Sequence, residues 1–456
     1  MKIIIVGLGR AGSYLTKVLS NEAYDVTVVD TDKSLVDEIT DKYNVNGVVG
    51  SGASKETLLK AGADSADSLV ALTHVDEINL LSCMQAKSLG TRRCAARLLL
   101  PDFIHESDSI KKEYNIDYLV KPKLDIAEEI YRNIGLPGFV KMEGFFGNEV
   151  QMINLSVLEY SPLNGKSLIE IKQSLDLNML VCTVIRDGKL YVPDGTFVLE
   201  ADDQIGIVAA KSDIEEILDK LGIIVEPAKN IVIVGGGITG EYLCNLLIKD
   251  KKNLTIIDNN INRCRDLMEK FPKAKVSYCE GDIMEVLEEE KIEKKDALVS
   301  LTDNDETNLV ISMFAWSLNV PSIITRVDKT GHVRLLHKVN MDITVSPTEL
   351  SVLKMLRFIR YYEMGDAEND IGKFYNVADG KAEVMEFIAS DTFSKLDVEF
   401  REKAFKLKKD ILIAGIIREG KLIIPSGNSK IVTGDRVIVA TSKKNQIRNL
   451  NEILAR

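Results

Sequence analysis

Short runs of consecutive apolar residues recur through the first part of the chain, separated by segments of helical character. Buried strands without polar alternation are typical of a parallel sheet that is covered on both faces. Such strands, each followed by a helix, predict a doubly wound α/β fold with right-handed crossovers. The predicted strands are residues 2–6, 25–29, 45–49, 68–72 and 94–97, and the predicted helices include residues 10–20, 54–61 and 76–88.

The residues that follow this predicted sheet have a different pattern of apolar positions. Short strands with tight turns between them, such as Asp187-Gly188 and Pro193-Asp194-Gly195, indicate a small β-rich module. An amphipathic helix predicted over residues 125–134 precedes this module, and a second one over residues 349–361 precedes the β-rich module later in the chain. We expect both helices to act as levers. The predicted strands are residues 151–159, 180–186, 190–192 and 204–209, and then residues 383–389, 411–418, 422–424 and 436–440.

The whole arrangement occurs twice. Gly7-x-Gly9-x-x-Gly12 returns as Gly235-x-Gly237-x-x-Gly240, an offset of 235 − 7 = 228, which is half of 456 residues. A period this long excludes a solenoid, so each half must contain its own cores. At roughly 150 residues per domain, two to four domains are expected. We predict nucleotide-binding domains at residues 1–121 and 227–347, and linker helices with β-rich domains at residues 122–226 and 348–456.

The repeated glycine motif directly follows a predicted strand and opens a predicted helix. There, the glycines permit a tight turn, let the backbone approach a pyrophosphate and let the helix pack on the strand. Asp30, at 30 − 12 = 18 residues after Gly12, and its counterpart Asp258 can accept ribose hydroxyls, which fits NAD better than NADP. The alternative is the same fold with an empty or vestigial site. Arg10 would either face phosphates or be solvated at the helix start, and Ile238 replaces it in the second half.

Further polar residues are predicted at the carboxyl edge of each sheet, where open α/β sheets bind ligands. Thr73-His74 and Thr302-Asp303 follow the fourth strand of each half. Arg97 and Arg326 end the fifth strands, and each would pair either with a phosphate or with a nearby carboxylate.

Composition narrows the functional classes. Lys and Arg total 58 against 69 Asp and Glu, and the net charge of −11 argues against nucleic acid as the main ligand and against direct attraction to lipid. The six cysteines form no Cys-x-x-Cys pair and the four histidines no His-x-x-x-His spacing, which favours a reduced cytosolic protein without a metal site. Residues 307–325 carry no charge, but Pro321 would end a helix there, so a buried helix, turn and strand are expected and not a membrane span.

Taken together, the tandem glycine motifs, the aspartate that ends the second strand and the Leu-Thr-x-x-Asp-Glu-x-Asn strand exit resemble the regulatory subunits of Trk potassium uptake systems. Members of that family carry RCK-type TrkA-N domains, each followed by a TrkA-C domain, and the resemblance covers essentially the whole chain. It implies a peripheral protein on the inner, cytoplasmic face of the cell membrane, which touches the membrane only through a potassium-translocating partner that it gates. It also implies binding of NAD or NADH, with ATP or ADP as rivals.

The family pattern assigns binding residues in both halves. Asp282 follows Gly281 in the manner of the family's adenine-side carboxylate, whereas its first-half counterpart is Ala53, a departure from the pattern. The resemblance further implies a homo-oligomer, because two chains supply four TrkA-N domains and four chains supply eight, and either number could close a ring. The implied binding residues are Gly7, Leu8, Gly9, Arg10, Ala11, Gly12, Asp30, Thr73, His74 and Arg97, and then Gly235, Gly236, Gly237, Ile238, Thr239, Gly240, Asp258, Asp282, Thr302 and Arg326.

The alternative function is that of an NAD-dependent oxidoreductase. Such an enzyme needs an acid or base beside the nicotinamide and a domain that holds the substrate. The candidates His74 and His105 have no match in the second half, where Asp303 replaces His74, and the β-rich modules are short for a substrate domain. A duplicated nucleotide site without duplicated catalytic residues favours regulation over catalysis.

Overall fold

The computed structural model describes residues 1–22, 24–137, 139–145, 150–223, 228–329, 332, 336, 343–363, 371–377, 382–442, 445, 447 and 449–455. The chain divides into two compact units. The first comprises Met1–Tyr131, Lys229–Leu336 and Thr344–Ile359, and the second comprises Arg132–Ala228, His337–Ile343 and Arg360–Arg456. Each unit therefore draws on both halves of the sequence. The predicted boundary between residues 226 and 227 lies outside the described residues.

The first half opens with a six-stranded parallel sheet in the order β3-β2-β1-β4-β5-β6. Its central strands are almost entirely buried, as their apolar runs predicted. The strands are β1 (Lys2–Val6), β2 (Asp25–Asp30), β3 (Asn46–Val49), β4 (Ser68–Ala71), β5 (Arg93–Arg97) and β6 (Tyr118–Val120). The helices are α1 (Arg10–Ser20), α2 (Lys33–Tyr43), α3 (Lys55–Lys60), α4 (Asp76–Leu89), α5 (Pro101–His105), α6 (Ser107–Glu113) and α7 (Pro122–Asn133).

The linker helix α7 begins three residues earlier than predicted, at Pro122 instead of Asp125. Proline fits the first helical turn, because the amide N–H that it lacks would have no partner inside the helix. The short strand β6 was not predicted. Its three residues are too few to show a pattern, and its pairing with β5 is what defines it as a strand.

The first β-rich module is a five-stranded antiparallel sheet in the order β10-β9-β11-β8-β7. Its elements are β7 (Val140–Phe145), β8 (Val150–Ser156), α8 (Leu168–Leu175), β9 (Met179–Arg186), β10 (Lys189–Tyr191), β11 (Gln204–Ala210) and α9 (Ile214–Lys220). The turn at Asp187-Gly188 has positive φ at both residues, as expected for a two-residue hairpin. Strand β7 was not predicted.

The second half repeats the parallel sheet in the order β14-β13-β12-β15-β16-β17. The chargeless segment forms most of the helix Asp305–Ser317, a turn and a buried strand. The expectation of a buried helix was wrong in part, because Val310, Met313 and Trp316 are exposed on its outer face. No helix among the described residues is long and apolar enough to cross a membrane. The elements are β12 (Asn230–Val234), α10 (Ile238–Lys249), β13 (Asn253–Asp258), α11 (Ile261–Lys270), β14 (Lys275–Tyr278), α12 (Ile283–Glu289), β15 (Ala297–Ser300), α13 (Asp305–Ser317), β16 (Ser322–Arg326), β17 (Thr344–Val345) and α14 (Pro347–Glu363).

The second β-rich module repeats the antiparallel sheet in the order β18-β19-β22-β20-β21. Within the second unit, the two sheets share an apolar core that contains Met152 and Cys182 from the first module and Val384 and Ile438 from the second. The strands are β18 (Ile371–Val377), β19 (Ala382–Ile388), β20 (Ile411–Arg418), β21 (Lys421–Ile423) and β22 (Arg436–Ser442). The predicted class, two Rossmann-like sheets each followed by a β-rich module, is confirmed.

Candidate functional site

The first glycine loop connects β1 to α1, and its backbone geometry requires glycine. Gly7 has a φ of +94°, and a Cβ atom there would lie 2.8 Å from the amide nitrogen of Thr73. A Cβ atom on Gly12 would lie 1.8 Å from the carbonyl oxygen of Gly7. Any side chain would therefore force α1 away from the strand, as the motif predicts.

The second glycine loop has the same form. Gly235 has a φ of +105°, and a Cβ atom on Gly240 would lie 2.4 Å from the carbonyl oxygen of Gly235. By contrast, no atom lies within 4 Å of the position that a Cβ on Gly237 would take. The middle glycine therefore borders open space at the start of α10, where unpaired N–H groups and the helix dipole favour an anion.

The two aspartates hold the glycine loops from the neighbouring strand. Asp30 Oδ2 accepts a hydrogen bond of 2.6 Å from the amide of Leu8, and its Oδ1 accepts one of 3.0 Å from the amide of Asp32. Asp258 does the same with the amides of Gly236 (2.7 Å) and Asn260 (2.8 Å). Each carboxylate thus stands beside its loop with its position set by backbone amides. Its predicted contact with a ribose remains a prediction.

A buried asparagine joins the ends of the fourth and fifth strands in each half. Asn79 Oδ1 accepts hydrogen bonds from the amide (2.8 Å) and hydroxyl (2.7 Å) of Thr73, and its Nδ2 donates to the carbonyls of Thr73 (3.0 Å) and Arg97 (2.9 Å). Asn308 makes the same four bonds with Thr302 and Arg326. Thr73, Arg97 and their counterparts are therefore rigidly positioned at the sheet edge.

A second repeated side chain holds the segment that follows the fifth strand. Asp76 accepts hydrogen bonds from the amides of Leu99 and Leu100, and Asp305 accepts them from the amides of Asp328 and Lys329. The sequence signal for these contacts was present, because both the aspartate and the asparagine recur in the two halves. Their roles in shaping the edge were not predicted.

The loop residues of the first half differ in their surroundings. Leu8 and Ala11 are buried, whereas His74 is exposed, with its Cε1 3.4 Å from the position of a Cβ on Gly9. Arg10 is 73% exposed, and its guanidinium lies 3.6 Å from the carboxylate of Asp328 in the second half. Arg10 thus makes an ion pair that the sequence did not predict, and its contact with a phosphate stays a prediction.

A cavity of about 1100 Å³ lies at the carboxyl edge of the second parallel sheet. It collects most of the binding residues predicted in the second half, and it also reaches first-half residues. Asp282 instead caps α12 by accepting the amide of Met284, and Gly236 is buried against Leu267. The predicted residues that line the cavity are Gly235, Gly237, Ile238, Thr239, Gly240, Asp258, Thr302, Arg326 and, from the first half, Arg97.

The charged side chains that line this cavity are four basic and four acidic ones: Arg97, Lys123, Arg263 and Arg326, and Asp258, Glu280, Asp303 and Asp328. Arg326 pairs with Asp303 at 2.7 Å, which is the carboxylate alternative, whereas Arg97 donates to the carbonyl of Thr73 at 2.8 Å. Burial lowers the pKa of Arg97, and the nearby carboxylate of Asp76 opposes that shift. Arg263, which was not predicted, donates to the carbonyl of Gly236 at 2.6 Å and so braces the second loop.

These features suit the binding of an anion. Two helix N-termini, open glycine backbone and several guanidinium groups converge on the sheet edges. Among the described residues, no three His, Cys, Asp or Glu side chains are placed to hold a metal ion together.

Comparison with known proteins agrees with the duplicated architecture. The TrkA-N domain model matches residues 3–122 and 231–347, and the TrkA-C domain model matches residues 152–222 and 397–454. The Trk system potassium uptake protein TrkA homolog of Archaeoglobus fulgidus is 30% identical over 99% of this chain and 100% of its own length. The TrkA protein of Halomonas elongata is 30% identical over 99% of this chain and 98% of its own length.

Solved structures share the fold. The crystal structure of the GsuK RCK domain has a TM-score of 0.63 at 18% identity and covers 97% of this chain and 92% of that chain. The GsuK channel bound to NAD has a TM-score of 0.62 at 17% identity, over 97% of this chain and 77% of that chain. At such identities the likeness speaks for the fold, whereas the near full-length sequence matches confirm the resemblance seen in the motifs. The chain belongs to the TrkA family of Trk system potassium uptake proteins.

Proposed function

We propose that the protein is a regulatory subunit that binds NAD or NADH, in competition with ATP or ADP, and gates a membrane potassium-translocating partner. It would act as a peripheral protein on the cytoplasmic side of the cell membrane and contact the membrane only through that partner. One observation carries the proposal: both halves hold a glycine loop by the same aspartate-to-amide hydrogen bonds, Leu8 to Asp30 and Gly236 to Asp258.

Several facts support binding over catalysis. The exposed His74 of the first half is replaced by Asp303 in the second, so the histidine that could serve as acid or base beside a nicotinamide is not duplicated. Family relatives are named for potassium uptake, and the structural neighbour GsuK is a channel bound to NAD. An NAD-dependent oxidoreductase is the alternative, and steady change in NADH absorbance with a candidate substrate would establish it.

The route of control that we propose runs through the linker helices. The cavity is lined by Pro122 at the start of α7 and by Pro347 and Ser351 in α14. Each of these helices leads along the chain to a β-rich module. A nucleotide that binds two states of the protein with different affinity would shift the population between them, typically with about 1–3 kcal/mol of coupling.

Titration calorimetry of the full-length protein with NAD, NADH, ATP and ADP tests the binding. We expect Asp30→Ala to remove the first site and Asp258→Ala to remove the second, because each change frees its glycine loop and deletes the predicted ribose contact. Asp37→Ala, an exposed position on α2, is the matched control and should bind as the wild type does.

Potassium flux into vesicles that contain the partner tests the regulation. We expect nucleotide-dependent control of flux to be lost in Asp30→Ala together with binding. Control that survives the loss of binding would contradict the proposal. We also propose a homo-oligomer of two or four chains, which light scattering over a range of protein concentrations would distinguish from a monomer.

A further inference from the structure

Charge is unevenly divided between the two β-rich modules. Residues 151–222 of the first module include 6 basic and 12 acidic residues, a net charge of 6 − 12 = −6. The matching residues 383–454 of the second module, at an offset of 383 − 151 = 232, include 13 basic and 10 acidic residues, a net charge of 13 − 10 = +3. The net charge of −11 for the whole chain, which argued against attraction to lipid, therefore conceals a basic region.

The positive charge of the second module is concentrated in residues 401–409, which we call the basic segment and which lie shortly before β20. The segment has five basic residues and one acidic residue, a net charge of 5 − 1 = +4. The matching residues 169–177 of the first module have one basic and two acidic residues, a net charge of 1 − 2 = −1, and they form most of α8. All five basic residues are exposed, namely Arg401, Lys403, Lys406, Lys408 and Lys409.

Apolar side chains hold the basic segment against the core of its own module. Phe405 is buried in that core, and Leu407 packs against it. Leu407 also forms an isolated antiparallel bridge with Leu454. Because successive side chains of an extended chain point to opposite sides, Lys406 and Lys408 extend into solvent while Leu407 faces the core. The lysines are therefore presented on a backbone that the core fixes in place.

Four of these five cations are not neutralised by the protein. Arg401 pairs with Glu399, with 2.6 Å between the guanidinium and the carboxylate. By contrast, four ammonium groups make no ion pair or hydrogen bond with any residue that the structure describes, namely those of Lys403, Lys406, Lys408 and Lys409. Their charge is therefore available to an anionic partner outside the chain.

The charge and its spacing suit the surface of an anionic membrane. A cluster of about four to eight Lys or Arg residues is typical of segments that attach to anionic lipid, and each one strengthens binding about fivefold, equivalent to ~1 kcal/mol. Lysine fits this role because its flexible stem places a point charge among headgroups without a fixed geometry. Repulsion of the acidic remainder of the chain is screened beyond a Debye length of about 8 Å, so it opposes binding only close to the surface.

Two other anionic partners fit the basic segment less well. Single-stranded nucleic acid is held by aromatic side chains on which its bases stack. The aromatic rings of this region, Phe400 and Phe405, instead lie 4.5 Å apart and pack into the core of the module. The cytoplasmic loops of membrane proteins carry an excess of Lys and Arg, so those of a potassium-translocating partner would repel the basic segment and attract the acidic remainder of the chain.

We propose that the basic segment, residues 401–409, binds the anionic headgroups of a lipid bilayer. This goes beyond the proposed function, in which the protein reaches the membrane through its partner, and adds a direct attachment beside that one. Because the matching residues 169–177 carry a net negative charge, only one of the two β-rich modules of each chain would meet the lipid.

Sedimentation of the full-length protein with lipid vesicles, without the partner protein and without nucleotide, tests the proposal. We expect the protein to bind vesicles of phosphatidylcholine that contain about 30% phosphatidylglycerol, and not to bind vesicles of phosphatidylcholine alone. Binding should be lost at about 1 M salt, where the Debye length falls to ~3 Å.

Three combined variants locate the contact. At about fivefold for each lysine, affinity for the anionic vesicles should fall several hundredfold on combining Lys403→Gln, Lys406→Gln, Lys408→Gln and Lys409→Gln. Arginine at the same four positions keeps the charge and should bind within about threefold of the wild type. The matched control removes the same charge from exposed positions outside the basic segment and should bind within about twofold of the wild type; it combines Lys55→Gln, Lys111→Gln, Lys112→Gln and Lys172→Gln.

The proposal is overturned if the wild type does not bind the anionic vesicles, or if the control variant loses as much affinity as the glutamine variant of the basic segment. It is also overturned if the wild type binds a single-stranded RNA oligonucleotide more tightly than the vesicles, because the segment would then be a nucleic-acid site. Melting temperatures equal to that of the wild type, expected for exposed positions, separate a lost contact from a lost fold. Should the fourfold glutamine variant not fold, Lys408→Gln alone should still lose about fivefold in affinity. The vesicles hold no partner and no nucleotide, so failure here leaves the proposed function intact.

Discussion

Replacing Asn79 by leucine should be among the most damaging single changes in the first half. The side chain is fully buried and makes four hydrogen bonds at the sheet edge, two to Thr73 as acceptor and two to backbone carbonyls as donor. Leucine has the same number of side-chain heavy atoms and the same branch point, so the change removes the polar contacts without leaving a cavity.

The expected loss follows from the groups left behind. The amide and carbonyl of Thr73 and the carbonyl of Arg97 lose a partner inside the protein. At about 1 kcal/mol for each net hydrogen bond, the free energy of unfolding should fall by roughly 3–4 kcal/mol. Because whole domains are stable by only about 5–15 kcal/mol, a loss of this size is easily measured. Nucleotide binding at the first site should weaken as well, since Thr73 and Arg97 lose their fixed positions.

Urea unfolding followed by circular dichroism measures the loss. Asn308→Leu is the parallel experiment in the second half, where the four bonds measure 2.7–3.0 Å, and the single tryptophan, Trp316 on α13, reports unfolding there by fluorescence. Met84→Leu, a partly exposed position on α4, is the control and should change the free energy of unfolding by less than about 0.5 kcal/mol. The reasoning would be refuted if Asn79→Leu proved as mild as this control.

Two further predictions follow from the second parallel sheet. In Asp296, the upward effect of burial on the carboxyl pKa is outweighed by hydrogen bonds from the amides of Asn230 and Lys229, so the pKa lies below 3.8. Its stabilising contribution is complete above pH 3.8 and is lost as the pH falls below it. Asp296→Asn should therefore be about 1–2 kcal/mol less stable than the wild type at pH 7. Unfolding curves measured in acid should show this difference in stability narrowing below pH 3.8, and a difference that stayed constant would contradict the account. Gly237→Ala should fold normally but bind nucleotide weakly, because its Cβ would enter open space beside the loop. Gly240→Ala should lose stability, because its Cβ would meet the carbonyl oxygen of Gly235 at 2.4 Å. Equal melting temperatures for the two variants would contradict this reasoning.

The sequence predicts most of the fold because the evidence for it is local. The apolar runs of β1 and β12 and the glycines after them act over a few residues, and the repeat reinforces each prediction. The edge strand β7 and the short β6 were missed, since pairing with a neighbour and not local pattern defines them.

The sequence predicted only those parts of the site whose residues lie close together along the chain. The glycine loops and Asp30 could be read from one motif, but the pairing of Arg10 with Asp328 joins residues 328 − 10 = 318 positions apart. Asp282 was assigned by family pattern; its carboxylate caps α12, and its contact with an adenine nucleotide stays a prediction. The nucleotide contacts of the predicted residues remain predictions.

The pairing of Arg10 with Asp328 has a consequence for how such a protein can be divided. Ile238 is the second-half counterpart of Arg10, at an offset of 238 − 10 = 228, and Leu99 is the first-half counterpart of Asp328, at an offset of 328 − 99 = 229. Both Ile238 and Leu99 line the cavity. Two copies of the first half associating with each other would set Arg10 against Leu99, and two copies of the second would set Ile238 against Asp328. Only the pairing of a first half with a second half sets Arg10 against Asp328 and Ile238 against Leu99. The Arg10–Asp328 ion pair is thus a contact that neither half could make with a second copy of itself.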